Sequence, residues 1–322
     1  MSQSLPWWLW AAFAGFVVLA VMVDLRAVNR QGAHKVDVRE ALRWSALWIA
    51  IAFAFNGLLW LYFDHSLGRE LANQKAIEFF TGYLIEKSLA VDNIFVFLMI
   101  FSFFAVPAEY QKRALIIGVV GAIVLRVIMI LVGAWLIARF HWILYLFGAF
   151  LLATGIKMLV FADHKPDLNQ NPVLKFLRGH MKLSADFDGE RFFTWRDGVR
   201  YATPLFLVFI MIAVTDVIFA VDSIPAIFAI TADPFIVLTS NIFAILGLRA
   251  MYFLLADMAD RFHLLSYGLA IILVFIGVKM LIVSWITIPI GLSLGVVFGI
   301  LILTIVASLL TRPKVDGEDA AG

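Results

Sequence analysis

The sequence contains no cysteine, which excludes disulfides, thiolate metal centres, iron–sulfur clusters and cysteine nucleophiles. Any metal would have to be held by oxygen or nitrogen. Charge is scarce: 15% of residues are charged, where a soluble globular chain carries about 25%. The six histidines, His34, His65, His141, His164, His180 and His263, all fall in loops or at the ends of apolar runs, so no imidazole is offered at mid-membrane depth. No phosphate-binding glycine loop of the P-loop type is present, which argues against ATP as a direct driver. The formal net charge is only +2 and no nucleic-acid partner is expected.

What the sequence has instead is apolar length. Of 322 residues, 63% are hydrophobic. Apolar runs lie near 7–23, 44–63, 79–104, 114–138, 142–162, 204–230, 235–256, 264–284 and 288–311. Each reaches or approaches the ~20 residues that cross a bilayer, and none has the short alternating pattern of an outer-membrane barrel. The fold class is therefore all-α, a polytopic membrane protein of about nine transmembrane helices. The first run lacks a basic segment before Trp7 and a small-residue cleavage pattern after it, and reads as a retained helix.

Lysine and arginine are unevenly divided between alternate loops, seventeen on one side against three on the other, with five inside the helices. By the positive-inside rule the N-terminus is periplasmic and the C-terminus cytoplasmic. The long cytoplasmic connection, 163–203, holds Asp197-Gly198 between short aromatic runs, which predicts a β-hairpin. It reads most simply as a surface turn with no direct chemistry.

The chain also resembles itself. Glu86-Lys-Ser-Leu-Ala-Val-Asp92-Asn93-Ile aligns with Asp216-Val-Ile-Phe-Ala-Val-Asp222-Ser223-Ile, Leu125-Arg126 with Leu248-Arg249, and Gly155-Ile-Lys157-Met-Leu with Gly277-Val-Lys279-Met-Leu, in the same order. Each unit spans three helices, an odd number, so the two have opposite orientation and form a 3+3 inverted-topology repeat. The organisation expected is 1–76 for the first two helices, 77–162 for the first unit, 163–203 for the loop, 204–285 for the second unit, and 286–322 for the ninth helix and tail.

Four carboxylates fall inside these units: Glu86, Asp92, Asp216 and Asp222. A charge at bilayer depth costs at least ~2.5–3.5 kcal/mol on insertion scales and normally faces a cavity, a partner or an ion. In a regular helix a six-residue step leaves two side chains about 120° and ~9 Å apart, so neither Glu86 with Asp92 nor Asp216 with Asp222 can grip one ion alone. Inversion supplies partners, placing Glu86 beside Asp222 and Asp92 beside Asp216 in two acidic layers. Asn93 and Ser223 add neutral oxygens, Thr215 and Ser88 lie close by, and Gly82, Pro204 and Pro225 are places where the helices could unwind and free carbonyls. Such an oxygen cage suits hard cations such as Mn²⁺ or Mg²⁺. The plainer reading makes the acids structural ion pairs with Arg126, Arg249 and Lys87. Even then two guanidinium groups against four carboxylates leave negative charge over. Lys157 and Lys279, near helix ends, are expected to snorkel, and Asn56 and Asn241 serve either as interhelical glue or as cavity lining.

At the stretches Glu86 to Asn93, Thr215-Asp-Val-Ile-Phe-Ala-Val-Asp-Ser-Ile-Pro-Ala226 and Arg200-Tyr-Ala-Thr-Pro-Leu205 the sequence resembles the TerC family of integral membrane proteins, most closely its Alx branch. The resemblance implies a multi-pass protein of the bacterial inner membrane, not an enzyme, linked to manganese homeostasis, with Mn²⁺ as an exported ion and no permanently bound cofactor. Export of two charges against the membrane potential needs a driver, and proton exchange on the same carboxylates would supply it. Two other classes compete: a membrane scaffold recruiting partners through 163–203, and, remotely, an intramembrane aspartyl protease, whose Gly-x-Gly-Asp and Tyr-Asp signatures are missing here.

Overall fold

The computed structural model describes residues 5–31, 38–140, 142–160, 171–196, 198–256, 264–286 and 288–311; within its helices the side chains of Asp92 and Asp222 are among those not described. Its elements run α1 (Trp7–Gln31), α2 (Val38–Leu67), α3 (Arg69–Phe103), α4 (Ala108–Arg139), α5 (Ile143–Val160), α6 (Pro172–His180), β1 (Phe193–Arg196), β2 (Val199–Ala202), α7 (Pro204–Phe228), α8 (Pro234–Leu246), α9 (Leu248–Ala256), α10 (Leu265–Leu281) and α11 (Ile290–Leu310). The molecule is helical, as its apolar runs require. Among the described residues six helices are long and apolar enough to cross a membrane, and α8 with α9 makes a seventh if the pair is one span. The other two runs are α3, which carries Glu86, Lys87 and Asp92, and the 17-residue α10; both are helical but do not meet that measure.

Three local departures from the sequence reading concern the site. The run 235–256 is two helices that meet at Gly247 with a bend of 43°. By contrast α3 and α7 are continuous where unwinding was expected. Pro204 opens α7 at its first turn, where a missing N–H costs nothing, and Pro225 falls in the last turn. Gly82 serves close packing: a methyl group there would lie 2.8 Å from the Ser240 hydroxyl of α8. The third departure is α6, a short amphipathic helix within 163–203 that nine residues of mixed polarity did not announce. Asn171 caps it by accepting from the Val173 and Leu174 amides, and Pro172 opens its first turn.

α8 sits at the centre, with every residue from Phe235 to Leu246 buried. A helix apolar all round belongs in a core. α3 packs on both α7 and α8, as does α4, while α5 packs on α10. This set maps onto itself when α3, α4 and α5 are exchanged for α7, the α8–α9 pair and α10. The α5–α10 crossing repeats the pattern in atoms. A methyl group on Gly277 would stand 2.7 Å from Leu152 N and 2.8 Å from Gly148 O; one on Gly155 would stand 2.9 Å from both Val274 N and Ala270 O. Val274 and Ala270 lie 122 residues after Leu152 and Gly148, the same interval that separates Gly277 from Gly155. Small residues let the two backbones touch, which is how apolar helices gain contact where lipid competes equally for greasy side chains. Outside this core α2 lines α3 and α9, α1 lies against α8 and α4, and α11 covers α10 and α3. The rings of Phe55 and Phe243 pack at 4.7 Å and those of Phe55 and Phe79 at 5.5 Å, both tilted, filling the junction of α2, α3 and α8.

Candidate functional site

Glu86 has no exposed surface. It lies where α3 packs on α7 and α8, with α4 packed on the same two helices, and each of the three contributes a polar group. Arg126 of α4 forms an ion pair with Glu86 and is itself buried. Its Nη1 also donates to the Ser223 hydroxyl of α7 at 2.9 Å and to Asn241 Oδ1 of α8 at 2.8 Å. Asn241 Nδ2 donates to Glu86 Oε2 at 3.3 Å, closing the ring. Four helices are thus tied through one guanidinium. Nη1 makes these contacts while Nε has no hydrogen-bond partner among the described residues, so the pair is end-on and not the bidentate fork a guanidinium prefers.

Asp216 of α7 is buried and lies within electrostatic reach of both Arg126 and Glu86. The cluster therefore brings two buried carboxylates to one guanidinium, with the Lys87 ammonium also within electrostatic reach of Glu86. Asn93 is buried on α3, one residue beyond Asp92. Asp92 and Asp222 stand in α3 and α7, but their side chains lie outside the described residues, and so does the expected pairing of the acids into two layers. Among the described residues no three acids or imidazoles converge as a metal-binding group.

Other residues named from sequence go elsewhere. Arg249, the counterpart of Arg126, turns to Asp24 of α1, with Nε donating to Oδ2 at 3.2 Å and Nη2 forming a second, shorter contact to Oδ1. Both groups are buried. Lys87 donates from Nζ to Ala244 O at 3.1 Å, in the last turn of α8, and stays within electrostatic reach of Glu86. At the break the Gly247 amide takes Ile245 O, and the Lys87 ammonium takes Ala244 O and complements the helix dipole. A methyl group on Gly247 would stand 2.8 Å from Lys87 Nζ and 3.2 Å from Trp48 Cβ. Thr215 and Ser88 donate back to their own helices, to Met211 O and Leu84 O, each at 2.7 Å. Lys157 is exposed, whereas Lys279 is buried and does not snorkel.

A second polar cluster escaped the sequence reading. At the first turns of α3 and the start of α8, Lys75 Nζ lies 3.0 Å from both Glu78 Oε2 and Asp233 Oδ2. The Thr231 hydroxyl donates to Glu78 Oε2 at 2.7 Å and Gln74 Nε2 to Oε1 at 2.8 Å. Asp233 also caps α8 through the Phe235 amide at 3.0 Å. Burial lowers the affinity of Lys75 for its proton, but Asp233 and Glu78 together outweigh it and raise the pKa above the ordinary lysine value. Asp233-Pro234 is a legible cap signal; nothing local marks Lys75 and Glu78 as its partners.

Comparison with known proteins gives one family. Residues 71–316 match the integral membrane protein TerC family, a stretch that takes in the whole site. The chain is 57% identical over 308 residues to "Putative membrane-bound redox modulator Alx" of Salmonella typhi, covering 96% of each chain. The protein of the same name from Escherichia coli is 56% identical over 310 residues, 96% of this chain and 97% of that one. An uncharacterised membrane protein of Rickettsia felis is 39% identical over 307 residues, 95% and 99% of the two chains. No solved structure matches. The chain belongs to the TerC family of integral membrane proteins.

Proposed function

We propose that the protein carries a hard divalent cation, Mn²⁺ foremost, out of the cytoplasm across the bacterial inner membrane in exchange for protons, with intramembrane carboxylates as the ion site. The observation that carries this reading is Glu86, a wholly buried carboxylate at a four-helix crossing, with Asp216 acting on the same guanidinium. Arg126 acts on both carboxylates and Lys87 on Glu86, which leaves Asp216 sharing its one cation; a proton or a metal ion would neutralise the charge that remains. Asp92 and Asp222, each six residues further along its helix, with Asn93 and Ser223, add the oxygen donors that hard cations prefer.

Moving two charges outward against ~100 mV costs about 4.6 kcal/mol, so export needs coupling. Protonation of the same acids removes the charge that holds the cargo, and uptake of protons from outside would release it there. The Salmonella and Escherichia relatives carry a name that speaks of redox modulation. A chain without cysteine has no thiol to exchange, and on this reading any redox influence would be exerted through the ion it moves.

The test is metal flux into inverted vesicles holding the full-length protein. Uptake of Mn²⁺ should follow an imposed pH gradient, stop when the gradient is collapsed, and fall at least tenfold in Asp216→Asn and in Asp92→Asn. Flux indifferent to the gradient would overturn exchange, and wild-type flux in both variants would overturn the site. A cellular phenotype kept by Asp92→Asn would point instead to the scaffold reading.

A further inference from the structure

The segment between α5 and α7 stands apart from the ion site and carries a surface of its own. Across the hairpin Trp195 pairs with Arg200 and Phe193 with Ala202, so Phe193, Trp195 and Arg200 share one face. The Arg200 guanidinium carbon lies 3.7 Å from the centroid of the Phe193 ring. At the base of the hairpin the Phe193 ring packs 4.7 Å from Phe206 and that of Phe192 5.5 Å from Phe209. Thr203 locks this base, its hydroxyl donating to Arg191 O at 2.7 Å and its amide to Phe192 O at 2.9 Å.

Phe206 and Phe209 belong to the first two turns of α7, one of the candidate spans. At a rise of 1.5 Å per residue the base of the hairpin therefore lies within ~8 Å of the end of that span. Beyond it Trp195 is 70% exposed and Arg200 is exposed. α6 packs against the same α7, burying Leu174 and turning Lys175, Phe176 and Arg178 outward. The acids nearby are engaged: Asp186 lies 3.5 Å from Arg196 and Asp188 3.7 Å from Arg191. Arg200, Lys175 and Arg178 have no acidic partner among the described residues.

We propose that this face docks on the anionic phospholipid headgroups of the adjoining leaflet. Trp195 sits at headgroup level, where an indole keeps its ring in the apolar zone and its N–H near water. Arg200 pairs with lipid phosphate, a planar donor fork against a tetrahedral anion. Lys175 and Arg178 add to the attraction. The depth of the hairpin favours lipid over a soluble partner, because a group held at the end of a span meets headgroups first.

The experiment uses the full-length protein, delipidated in detergent, with equal amounts of phosphatidylglycerol and phosphatidylcholine, read by native mass spectrometry. The wild type should retain phosphatidylglycerol preferentially. Arg200→Gln should reduce that preference roughly fivefold, the worth of one juxtamembrane cation, Trp195→Ala should weaken retention of both lipids, and Arg139→Gln, at the far end of α4, should change nothing. Arg200→Lys, which keeps the charge, guards against a folding defect and should retain most of the preference, with unfolding temperature in lipid-free detergent as the check. Equal retention of the two lipids, or a preference untouched in Arg200→Gln, would overturn the proposal. So would variants with wild-type lipid binding that lose a co-purifying protein, which would assign the face to a protein partner.

Discussion

At the scale of single residues the two arginines matched in the repeat show how context divides equal positions. Arg126 and Arg249 occupy the same place in Leu-Arg pairs, yet one is held by Glu86, Ser223 and Asn241 and the other by Asp24. Removing one partner of a buried pair leaves an uncompensated charge and costs about 3–5 kcal/mol. Arg126→Gln should therefore lower stability in detergent by that order, and the double variant with Glu86→Gln should cost clearly less than the sum of the two single changes. Arg249→Gln and Asp24→Asn should show the same non-additivity with each other and little coupling to Glu86→Gln, as reversible unfolding titrations of the variants would report. Lys75 offers a pH test. Its pKa is raised above the ordinary 10.5, so its contribution is complete below that value and is lost only as the pH rises through the higher folded one. The stability gap between wild type and Lys75→Met should stay flat from pH 6 to about 9. That Glu86 is special could be read from its apolar surroundings; that its partner sits forty residues on could not, because ion pairs between helices leave no local spacing.

Among the elements, the glycines of α5 and α10 mark a contact of backbone on backbone. A methyl group on Gly277 would press on backbone atoms that have nowhere to go, and Gly277→Ala and Gly155→Ala should each destabilise by about 1–3 kcal/mol through overpacking. Gly121 of α4 and Gly295 of α11 have open space around the same position, so their alanine variants should be neutral or gain about 0.5–1 kcal/mol of helix propensity. Thermal unfolding of the four variants separates crossing glycines from idle ones. The helices of the apolar runs were legible, since only a helix satisfies its own backbone in lipid; α6, outside those runs, was not. Breaks were not. Proline suggested an interruption in α7, but Pro225 lies where the helix is already ending, whereas the real bend falls at Gly247, beside the Ala244 carbonyl that Lys87 of α3 takes.

For the molecule as a whole, orientation is open to a direct measurement, and the absence of native cysteine makes each introduced one a unique label. With the positive-inside assignment, a cysteine at Trp195 should react with an impermeant thiol reagent only from the cytoplasmic side, and one at Trp142 only from outside. The reverse pattern would invert the proposed direction of transport. Residue types and their order along the chain were enough to specify an all-helical membrane protein and to single out its intramembrane acids, because hydrocarbon penalises every unpaired polar group and leaves few alternatives. Which acid meets which cation was decided only by the packing of α3, α4, α7 and α8, since the position of a partner across a helix crossing depends on how close two backbones can come, and that is settled by small residues such as Gly82, one turn before Glu86, which lets α3 close on Ser240 of α8.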